Sequence, residues 1–418
     1  MLVVFEGRTD LFEPLTLTRP AFDLLFGCHT ILDELFIRIH ITDCVLLVRK
    51  HLEKVTQKNY PKYKVNPKSI TDSEEYYFAN SFISPTFNLT EFAVKKSNFL
   101  VVSNQQIVLA KLCAKRAKIM FDALRSANVK LKLFKGIKRY NLDGALLTYP
   151  WQIIESNANA LYKQLGEYKT KKAVAKDVKV YGSKRVIIQA GAEVESGVIL
   201  DARSGSILIR RGAVINAPSK LIGPISIGVN TIVKPFSVIS QSSIGNNCKV
   251  AGEVEDSVIS DYSNKSHEGY IGHSYVGKWV NLGAGTTTSN LKMTYGTIKM
   301  NVKGKRLDSN MNKLGVIVGD MCKTAVGTYL QSGGKFGVAS HLYGYVTNDI
   351  PSFTICAESF NHRPVELRLD SAIETQGRMM KRRGITIGKE YAQMIKYVFK
   401  MTANDRRNAR IGKGRFQI

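Results

Sequence analysis

An aliphatic residue recurs at every sixth position in the stretch Ile209-Arg-Arg-Gly-Ala-Val-Ile-Asn-Ala-Pro-Ser-Lys-Leu-Ile-Gly-Pro-Ile-Ser-Ile-Gly-Val-Asn-Thr-Ile-Val-Lys-Pro-Phe-Ser-Val-Ile239. The spacing resumes at Ile244 and Val250 after a shift of one residue, and again between Val318 and Leu342, with Thr324 in one of the places. A period of six fits neither an α-helix, which repeats about every 3.6 residues, nor a simple alternating strand. It predicts a solenoid of short strands, each of which points one aliphatic side chain into a central stack.

The size and composition limit the class of protein. A chain of 418 residues is too long for one ordinary core, so we expect two or three domains. Its hydrophobic fraction of 44% is that of a globular protein. No segment approaches the roughly 20 consecutive apolar residues of a membrane helix. The opening Met1-Leu-Val-Val-Phe5 reaches Glu6 without a basic leader, so we expect neither a secretory signal nor a membrane partner.

The six cysteines are scattered through the sequence, with no CxxC pair and no paired cysteine and histidine spacing. This pattern favours neither a zinc site nor a disulfide framework, and no metal-ligating residues are predicted from it. We therefore expect a reduced, cytoplasmic compartment.

The net charge of +26 raises the question of nucleic-acid binding. The lysines and arginines are spread through all regions, and no RNP pattern, helix-turn-helix or zinc finger is visible. We interpret the charge as a basic surface that attracts anionic substrates. Nucleic-acid binding through the basic last fifty residues is a weaker alternative.

Residues 1–165 read as an α/β domain. Apolar runs of strand length alternate with helical patterns, which indicates a mostly parallel sheet. The strands are expected at Leu2–Phe5, Val45–Val48 and Phe99–Val102, and the helices at Ile31–Ile39 and Val108–Leu124.

The solenoid is expected over residues 173–360, with an interruption from Ala284 to Gly315. Residues 361–418 lose the period of six and form a basic, helical C-terminal extension. Helical spacing is present at Leu367–Arg382 and Lys389–Met401, and the polar run after Ala403 is expected to be loose.

Two motifs interrupt the aliphatic pattern with polar residues, His267-Glu-Gly-Tyr-Ile-Gly-His273 and Val280-Asn-Leu-Gly-Ala-Gly-Thr-Thr-Thr-Ser-Asn290. With them the chain resembles the GlmU-like proteins, in particular their archaeal branch. These proteins join a Rossmann-like sugar-1-phosphate nucleotidyltransferase domain to a left-handed parallel β-helix of hexapeptide repeats that transfers acetyl groups. The resemblance implies a homotrimer with active sites between subunits. It also implies acetyl transfer from acetyl-CoA to an amino-sugar 1-phosphate, in the synthesis of nucleotide sugars of the UDP-N-acetylglucosamine type.

The resemblance also implies roles for individual residues. His267 is in the place of the general base, a role that suits a histidine because its ordinary pKa leaves it largely neutral at pH 7. Tyr270 matches a tyrosine that contacts the sugar phosphate. Asn281 and Asn290 match asparagines that position the amino sugar and its attacking nitrogen, and Lys299 matches a lysine of the archaeal site. Taken singly, each of these residue types is also common in structural turns. We therefore treat the residues together, as a hypothesis that they form one site.

The phosphate contacts depart from the family pattern. Where bacterial members carry an arginine and a lysine, this chain has Ser237 and Glu255, and a glutamate cannot bind phosphate as a lysine does. Lys265, Lys292 and Lys299, or a basic residue of a neighbouring subunit, are the candidates that remain, and Lys292 is assigned to substrate binding. Coenzyme A is expected along the coils of residues 323–341. The second histidine of the first motif, His273, is assigned a structural role.

The N-terminal domain keeps only part of the nucleotidyltransferase pattern. Gly7-Arg8 and Arg19-Pro20 resemble the family's opening loop, so Arg8 and Arg19 are candidate substrate-binding residues. The spaced glycines that let a backbone approach phosphate are missing, and Ala21 replaces a lysine. The strand that begins at Phe99 ends in Ser103-Asn104, where the family has an aspartate for Mg²⁺. We expect the fold to be kept and leave Mg²⁺ binding and nucleotidyl transfer open.

A different class of function is also compatible with these departures. The chain could be a non-catalytic trimeric scaffold or regulator that binds a nucleotide sugar or a partner protein. Acetyl-CoA binding would discriminate between the two hypotheses, because only the acetyltransferase requires it.

Overall fold

The computed structural model describes residues 1–41, 43–70, 73–85, 87–93, 95, 98–168 and 177–416. Contacts divide the chain into two compact units. The first contains Met1–Phe12, Arg19–Leu24 and His29–Tyr149, and the second contains Glu13–Thr18, Leu25–Cys28 and Pro150–Ile418. The domain boundaries suggested by the sequence stay predictions, and position 173 lies outside the described residues.

The first unit is built on a seven-stranded sheet. All neighbouring strands are parallel except the fifth in the order below, which is antiparallel to both of its neighbours. The α/β class with a mostly parallel sheet is therefore confirmed. From edge to edge the strands are Lys64–Val65, Cys44–Leu47, Leu2–Phe5, Glu75–Asn80, Gln106–Cys113, Phe99–Ser103 and Lys138–Asn141.

The first helix of this unit begins where the sequence predicts. In a capping box, the Thr30 hydroxyl accepts from the Asp33 backbone N–H while the Asp33 carboxylate accepts from the Thr30 N–H. The predicted helix over Val108–Leu124 is wrong in its first half. That part is the strand Gln106–Cys113, whose side chains are almost all buried, because this strand lies inside the sheet. The helices are Ile31–Ile39, Glu53–Asn59, Leu89–Ala93 and Ala114–Arg125.

The second unit contains a parallel β-helix with three flat faces. One coil takes three six-residue repeats, so that Ser219 pairs with Ser237 in the next coil. The first face contains Lys179–Tyr181, Ile199–Asp201, Ser219–Ile222, Ser237–Ser240, Glu253–Glu255 and Tyr270–Gly272, with Thr287–Thr288, Tyr329–Leu330 and Tyr345–Val346 in a separate short sheet. The second face contains Val186–Ile188, Ile207–Ile209, Ile225–Ile227, Ser243–Ile244, Val258–Ile259, Tyr275–Val276, Ile317–Val318 and Lys335–Phe336.

The third face is where most of the polar ladder described below lies. Its first strands are joined to the later ones through the isolated bridge residue Asn281. They are Glu193–Val194, Val214–Ile215, Ile232–Val233, Lys249–Val250 and Asn264–Lys265, followed by Lys323–Thr324, His341–Leu342, Thr354–Ala357 and the antiparallel His362–Glu366.

The aliphatic residues with the period of six form the core of this β-helix. Ile209, Ile215, Leu221, Ile227 and Val233 are all fully buried in one continuous stack. Such burial removes each side chain from water and is worth about 1.5–3 kcal/mol per residue. The left-handed parallel β-helix of hexapeptide repeats is confirmed as the fold of this part of the chain.

The interruption of the coil is shorter than expected. Thr287–Thr288 is a strand paired with Tyr329–Leu330, and the inserted segment closes where the Leu314 N–H donates to the Asn290 carbonyl at 2.9 Å. Inside the insertion, Lys299–Val302 and Lys305–Asp308 form an antiparallel hairpin.

Three helices follow the β-helix, Leu369–Lys381, Lys389–Met401 and Ala403–Asn408. The helical extension is confirmed, but the expectation of a loose polar run after Ala403 is wrong. The buried Arg406 guanidinium donates to the Glu366 carboxylate at 2.6 Å and to the Phe399 carbonyl at 2.8 Å, and it lies over the Phe399 ring. The contact with Glu366 joins residues that are 40 positions apart.

The helix Trp151–Gly166 also belongs to the second unit, where the Asn157 side-chain oxygen accepts from the Ser243 hydroxyl at 2.9 Å. Within the described part of the chain, no helix combines the length and apolar character needed to cross a membrane.

Candidate active site

A cleft of about 580 Å³ lies beside His267, between the third face of the β-helix and the helix Leu369–Lys381. His267 follows the strand Asn264–Lys265, and its side chain is exposed on the cleft. Asn281 and Lys323 line the same cleft. The structure thus brings His267 and Asn281, two of the residues expected from the sequence, to one surface.

A ladder of polar side chains forms one wall of the cleft. Lys249, Asn264, Asn281, Lys323 and His341 occupy paired positions on successive coils. Because alternate residues of a strand point to opposite faces, their neighbours on the chain fill the core while these five point outwards. The four ladder residues that line the cleft present an amide at Asn264 and Asn281 and an ammonium group at Lys249 and Lys323.

The segment that carries His267 is held from inside the β-helix by Lys265. This lysine is only 2% exposed, and its ammonium group donates to the carbonyls of Ala251 at 2.7 Å and His267 at 3.0 Å. Burial lowers the pKa of Lys265 to about 8. Its position inside the core makes it unsuitable as the phosphate ligand considered from the sequence.

Tyr270 and Asn290 lie in a second cluster, at another corner of the coil. The Tyr270 hydroxyl donates to the Glu255 carboxylate and accepts from the Asn290 amide, both at 2.7 Å. The Asn290 amide also lies 3.0 Å from His273 Nδ1. Burial and the hydrogen bond to Glu255 raise the pKa of Tyr270, so it stays a neutral donor.

The second cluster includes a carboxyl group with an unusual pKa. Burial and the neighbouring Glu255 charge raise the pKa of Asp256 to about 6. Its carboxylate lies 3.6 Å from His273 Nε2, and burial lowers the pKa of that histidine. Glu255 is 3.9 Å from the Lys313 ammonium. His273 thus lies between Asp256 and the candidate residue Asn290, in addition to the structural role expected from the sequence.

The two candidate lysines lie in the inserted segment. Lys299 is exposed on the hairpin, where its carbonyl accepts from Arg306 at 3.2 Å. The Lys292 ammonium donates to the Thr297 carbonyl within the same segment. Neither lines the cleft at His267. The roles of all the site residues suggested by the sequence stay predictions.

Several residues of the cleft were missed by the sequence reasoning. Lys249 and Asn264 occupy the ladder positions that precede Asn281, and the coil length of 15–18 residues could have aligned them with it. Arg378, Arg382 and Arg383 come from the C-terminal extension, and no local pattern in the sequence indicates which face of the β-helix they reach.

In the first unit, the strand order places the expected ligand crevice away from Ser103-Asn104, the position considered in the sequence. The sheet order reverses on either side of Leu2–Phe5, so the crevice typical of such sheets lies at the carboxyl ends of Leu2–Phe5 and Glu75–Asn80. There the Asn80 side chain lies so close to Gly7 that a Cβ atom on Gly7 would come within 2.8 Å of it. Ser103-Asn104, by contrast, belongs to a tight hairpin turn with positive φ at Asn104.

The arginines of the opening loop have different surroundings. Arg8 is exposed and forms a forked pair with Asp10 at 2.9 and 3.0 Å, which raises its pKa. Arg19 is buried, and its carbonyl accepts from the Arg49 guanidinium at 3.0 Å. The Glu6 carboxylate accepts from the same guanidinium at 3.0 and 3.1 Å.

The donors at this crevice do not fit a dedicated Mg²⁺ site. Mg²⁺ prefers carboxylate oxygens, but Asn80 and Ser81 end the strand, and the Glu6 carboxylate is engaged with Arg49. Among the residues that the structure describes, no group of three or more histidine, cysteine, aspartate or glutamate side chains could hold a metal ion.

The remainder of the opening loop is part of the second unit. Leu15 and Thr16 are fully buried, and the Thr18 hydroxyl donates to the buried Asp320 carboxylate at 2.6 Å. This part of the opening loop is therefore packed into the second unit.

Comparison with known proteins finds one family match and several relatives. Residues 2–170 match the family model described as sugar nucleotidyl transferase. A protein of Sulfurisphaera tokodaii named "Bifunctional sugar-1-phosphate nucleotidylyltransferase/acetyltransferase" is 32% identical over 205 residues, which cover 48% of this chain and 45% of that protein. "Bifunctional protein GlmU" of Methanocaldococcus jannaschii is 29% identical over 256 residues, covering 61% of this chain and 56% of that protein.

The chain is similar to the GlmU-like proteins. It spans about half the length of these curated GlmU-like relatives. A solved structure titled "Crystal structure of UDP-N-acetylglucosamine acyltransferase" overlaps 44% of this chain and 70% of that chain, with 15% identity and a TM-score of 0.22.

Proposed function

We propose that the β-helix transfers an acetyl group from acetyl-CoA to the amino group of an amino-sugar 1-phosphate, with His267 as the general base. The observation that carries the proposal is that His267 and Asn281 share a cleft whose charged side chains are cationic. Both substrates are anionic, so such a cleft favours their binding. The similarity to bifunctional nucleotidyltransferase/acetyltransferase proteins supports the same reaction.

The chemistry of this transfer needs one base and a polar lining. The amine nitrogen attacks the thioester carbonyl carbon, the carbon–sulfur bond then breaks, and CoA leaves as the free thiol. His267 accepts the proton that the nitrogen loses and returns it to the departing sulfur. The carbonyl of His267 is fixed by Lys265, which limits movement of the segment that carries the base. Asn281, on the same wall, orients the sugar.

A homotrimer is part of the proposal. Tyr270 and Asn290 bond to each other at a different corner of the coil from the cleft of His267. The resemblance assigns all of these residues to one site. A site that contains all of them would therefore be formed by two neighbouring copies of the chain. On this view Tyr270, Asn290 and the lysines Lys292 and Lys299 of the inserted segment act on the substrate held by the next subunit.

Nucleotidyl transfer is the second candidate function, and the family match of residues 2–170 favours it. Arg8, exposed beside the crevice, would contact a phosphate of the substrate. Because the crevice of the first unit lacks the carboxylates that would hold Mg²⁺, nucleotidyl transfer is less strongly supported than acetyl transfer. The cytoplasmic location expected from the six free cysteines also stays a prediction.

The test measures CoA release with acetyl-CoA and either glucosamine 1-phosphate or galactosamine 1-phosphate. Losing the general base in His267→Ala should reduce kcat by about 100-fold or more. His362→Ala, which removes an exposed histidine elsewhere, is the matched control and should keep the wild-type rate. Equal rates in the wild type and His267→Ala would contradict the assignment. A wild type that neither binds acetyl-CoA nor releases CoA would favour the non-catalytic scaffold.

A further inference from the structure

The cleft beside His267 is lined by cations without any carboxylate among its fifteen lining residues. Two cations come from the β-helix and three from the C-terminal extension. They are Lys249, Lys323, Arg378, Arg382 and Arg383. Charged groups of one sign in a concave site raise the local concentration of ions of the opposite sign.

The hydrogen bonds of these cations show how little of the charge is neutralised. Arg383 donates to the uncharged Asn264 side-chain oxygen at 2.7 Å, and Lys323 donates to the Met321 carbonyl at 2.9 Å. Only Arg378 pairs with a carboxylate, that of Glu374 at 2.5 Å, among the described contacts of these five. The bond to Asn264 fixes the Arg383 guanidinium at the level of the ladder next to Asn281.

Burial disfavours positive charge at the ladder cations, and at Lys249 repulsion from neighbouring cations adds to it. Burial and then the charges of Arg383, Lys234 and Arg382 lower the pKa of Lys249. Burial lowers the pKa of Lys323 to about 8, and burial together with Lys323 lowers the pKa of His341 to about 4. An anion bound among them would relieve this repulsion.

We infer that Arg382, Arg383 and Lys249 form a phosphate-binding subsite, which holds a phosphomonoester or diphosphate group of a substrate of the proposed acetyl transfer. The ligand's identity rests on that proposed function. Arginine suits the role because its planar guanidinium presents paired donors to phosphate oxygens. The subsite would supply the phosphate contacts that Ser237 and Glu255 cannot provide.

Two substrates carry this chemistry, CoA and the sugar 1-phosphate, and direct binding distinguishes them. Isothermal titration calorimetry on the full chain uses CoA, glucosamine 1-phosphate and inorganic pyrophosphate as separate probes. The variant Arg382→Gln/Arg383→Gln removes two charges from the cleft. Lys396→Gln/Lys400→Gln removes two exposed charges from the neighbouring helix and is the matched control.

We expect the cleft variant to bind its probe about 100-fold more weakly, since two charge-assisted contacts are lost, while the control is unchanged. A loss confined to CoA assigns the subsite to CoA, and a loss confined to glucosamine 1-phosphate assigns it to the sugar. Lys249→Gln, on the opposite wall, should weaken the same probe by about 10-fold, and it covers the case in which the helix variant fails to fold.

Two results would overturn the inference. One is unchanged affinity of both cleft variants for every probe that binds the wild type. The other is that none of the three probes binds the wild type. These outcomes are separate from failure of the proposed function. A wild type that binds phosphate through this cleft but releases no CoA would refute acetyl transfer and leave the subsite in place.

Discussion

The Lys265 ammonium group donates a hydrogen bond from inside the β-helix to the carbonyl oxygen of His267, at 3.0 Å. A lysine in the core of a solenoid is costly, because its charge must leave water. Its second bond, to the Ala251 carbonyl at 2.7 Å, spans adjacent coils and satisfies another buried acceptor. The residue thus connects the stability of the coil with the position of the candidate base.

We expect Lys265→Met to change how stability depends on pH. Because the folded-state pKa is lowered from 10.5 to about 8, the unfolded chain binds more protons between these values, and stability rises with pH there. This group should add about 2–3 kcal/mol between pH 8 and 10.5 in the wild type. Urea unfolding at pH 7.5 and 9.5 should show a smaller rise in the variant.

The lysine at position 323 has a pKa lowered in the same direction, so the Lys265→Met variant keeps part of the rise. Adding Lys323→Met to Lys265→Met should reduce the remaining rise further, while Lys249 and Lys335, whose pKa values are also lowered, keep some of it. In acetyl-transfer assays Lys265→Met should lower kcat more than it raises KM, because the His267 segment is less firmly held. If stability depended on pH equally in Lys265→Met and the wild type, the pKa of Lys265 would not be lowered in the folded chain.

Substitutions at two adjacent positions of one strand should change the free energy of unfolding by different amounts, because one side chain is in the core and the other is on the surface. Ile239 is fully buried in the stack, whereas Val238 is 43% exposed on the outer face. Ile239→Ala should lower the free energy of unfolding by about 2–5 kcal/mol, through lost burial and the cavity left behind. Val238→Ala should change it by less than about 0.5 kcal/mol. Similar losses measured by urea unfolding would mean that the register of this coil is wrong.

The variant Asp256→Asn should stabilise the protein at neutral pH. With its pKa raised to about 6, the carboxyl group contributes stability below pH 4 that is lost as the pH rises through 6. Asparagine removes the ionisation and tolerates the positive φ of 43° at this position. We expect a gain of about 1–2 kcal/mol at pH 7.5 and almost none at pH 4. The exposed Asp143→Asn serves as control, and an equal gain at both pH values would exclude this cause.

The hydrogen bond between Thr18 and Asp320 should also contribute measurably to stability. Both side chains are buried, and the hydroxyl-to-carboxylate distance is 2.6 Å. Thr18→Val removes the donor and keeps the shape, so we expect a loss of about 1–3 kcal/mol in urea unfolding. Thr347→Val, at an exposed position, should have almost no effect. A neutral Thr18→Val would mean that this segment is not docked on the β-helix.

The fold could be predicted from the sequence wherever structure follows local periodicity. Ile209–Ile239 and the helix Ile31–Ile39 carry repeats or caps that act over a few residues. The strand Gln106–Cys113 was missed, because an apolar run buried on both sides has the same composition as a buried helix. Arg406 was also missed, since its carboxylate partner Glu366 is 40 residues away and is brought to it only by tertiary packing.

The candidate site also contains residues that could be predicted from the sequence and residues that could not. His267 and Asn281 could be identified from a motif, but Arg383 reaches the cleft only through docking of a helix more than a hundred residues later. Asn80 could not be found without knowing which strand lies beside Leu2–Phe5. Sheet order and helix docking depend on long-range contacts, which a single sequence does not display.

Thr18 and Asp320 are separated by 302 positions in the chain. During synthesis, Glu13–Thr18 leaves the ribosome long before the coil that receives it exists. Long-range contacts of this kind form slowly, and the apolar Leu15 and Leu17, which are buried in the folded chain, belong to this early segment. The coil that contains Asp320 therefore depends on one of the first segments to be made, and a chain shortened from its N-terminal end would lose part of the β-helix unit.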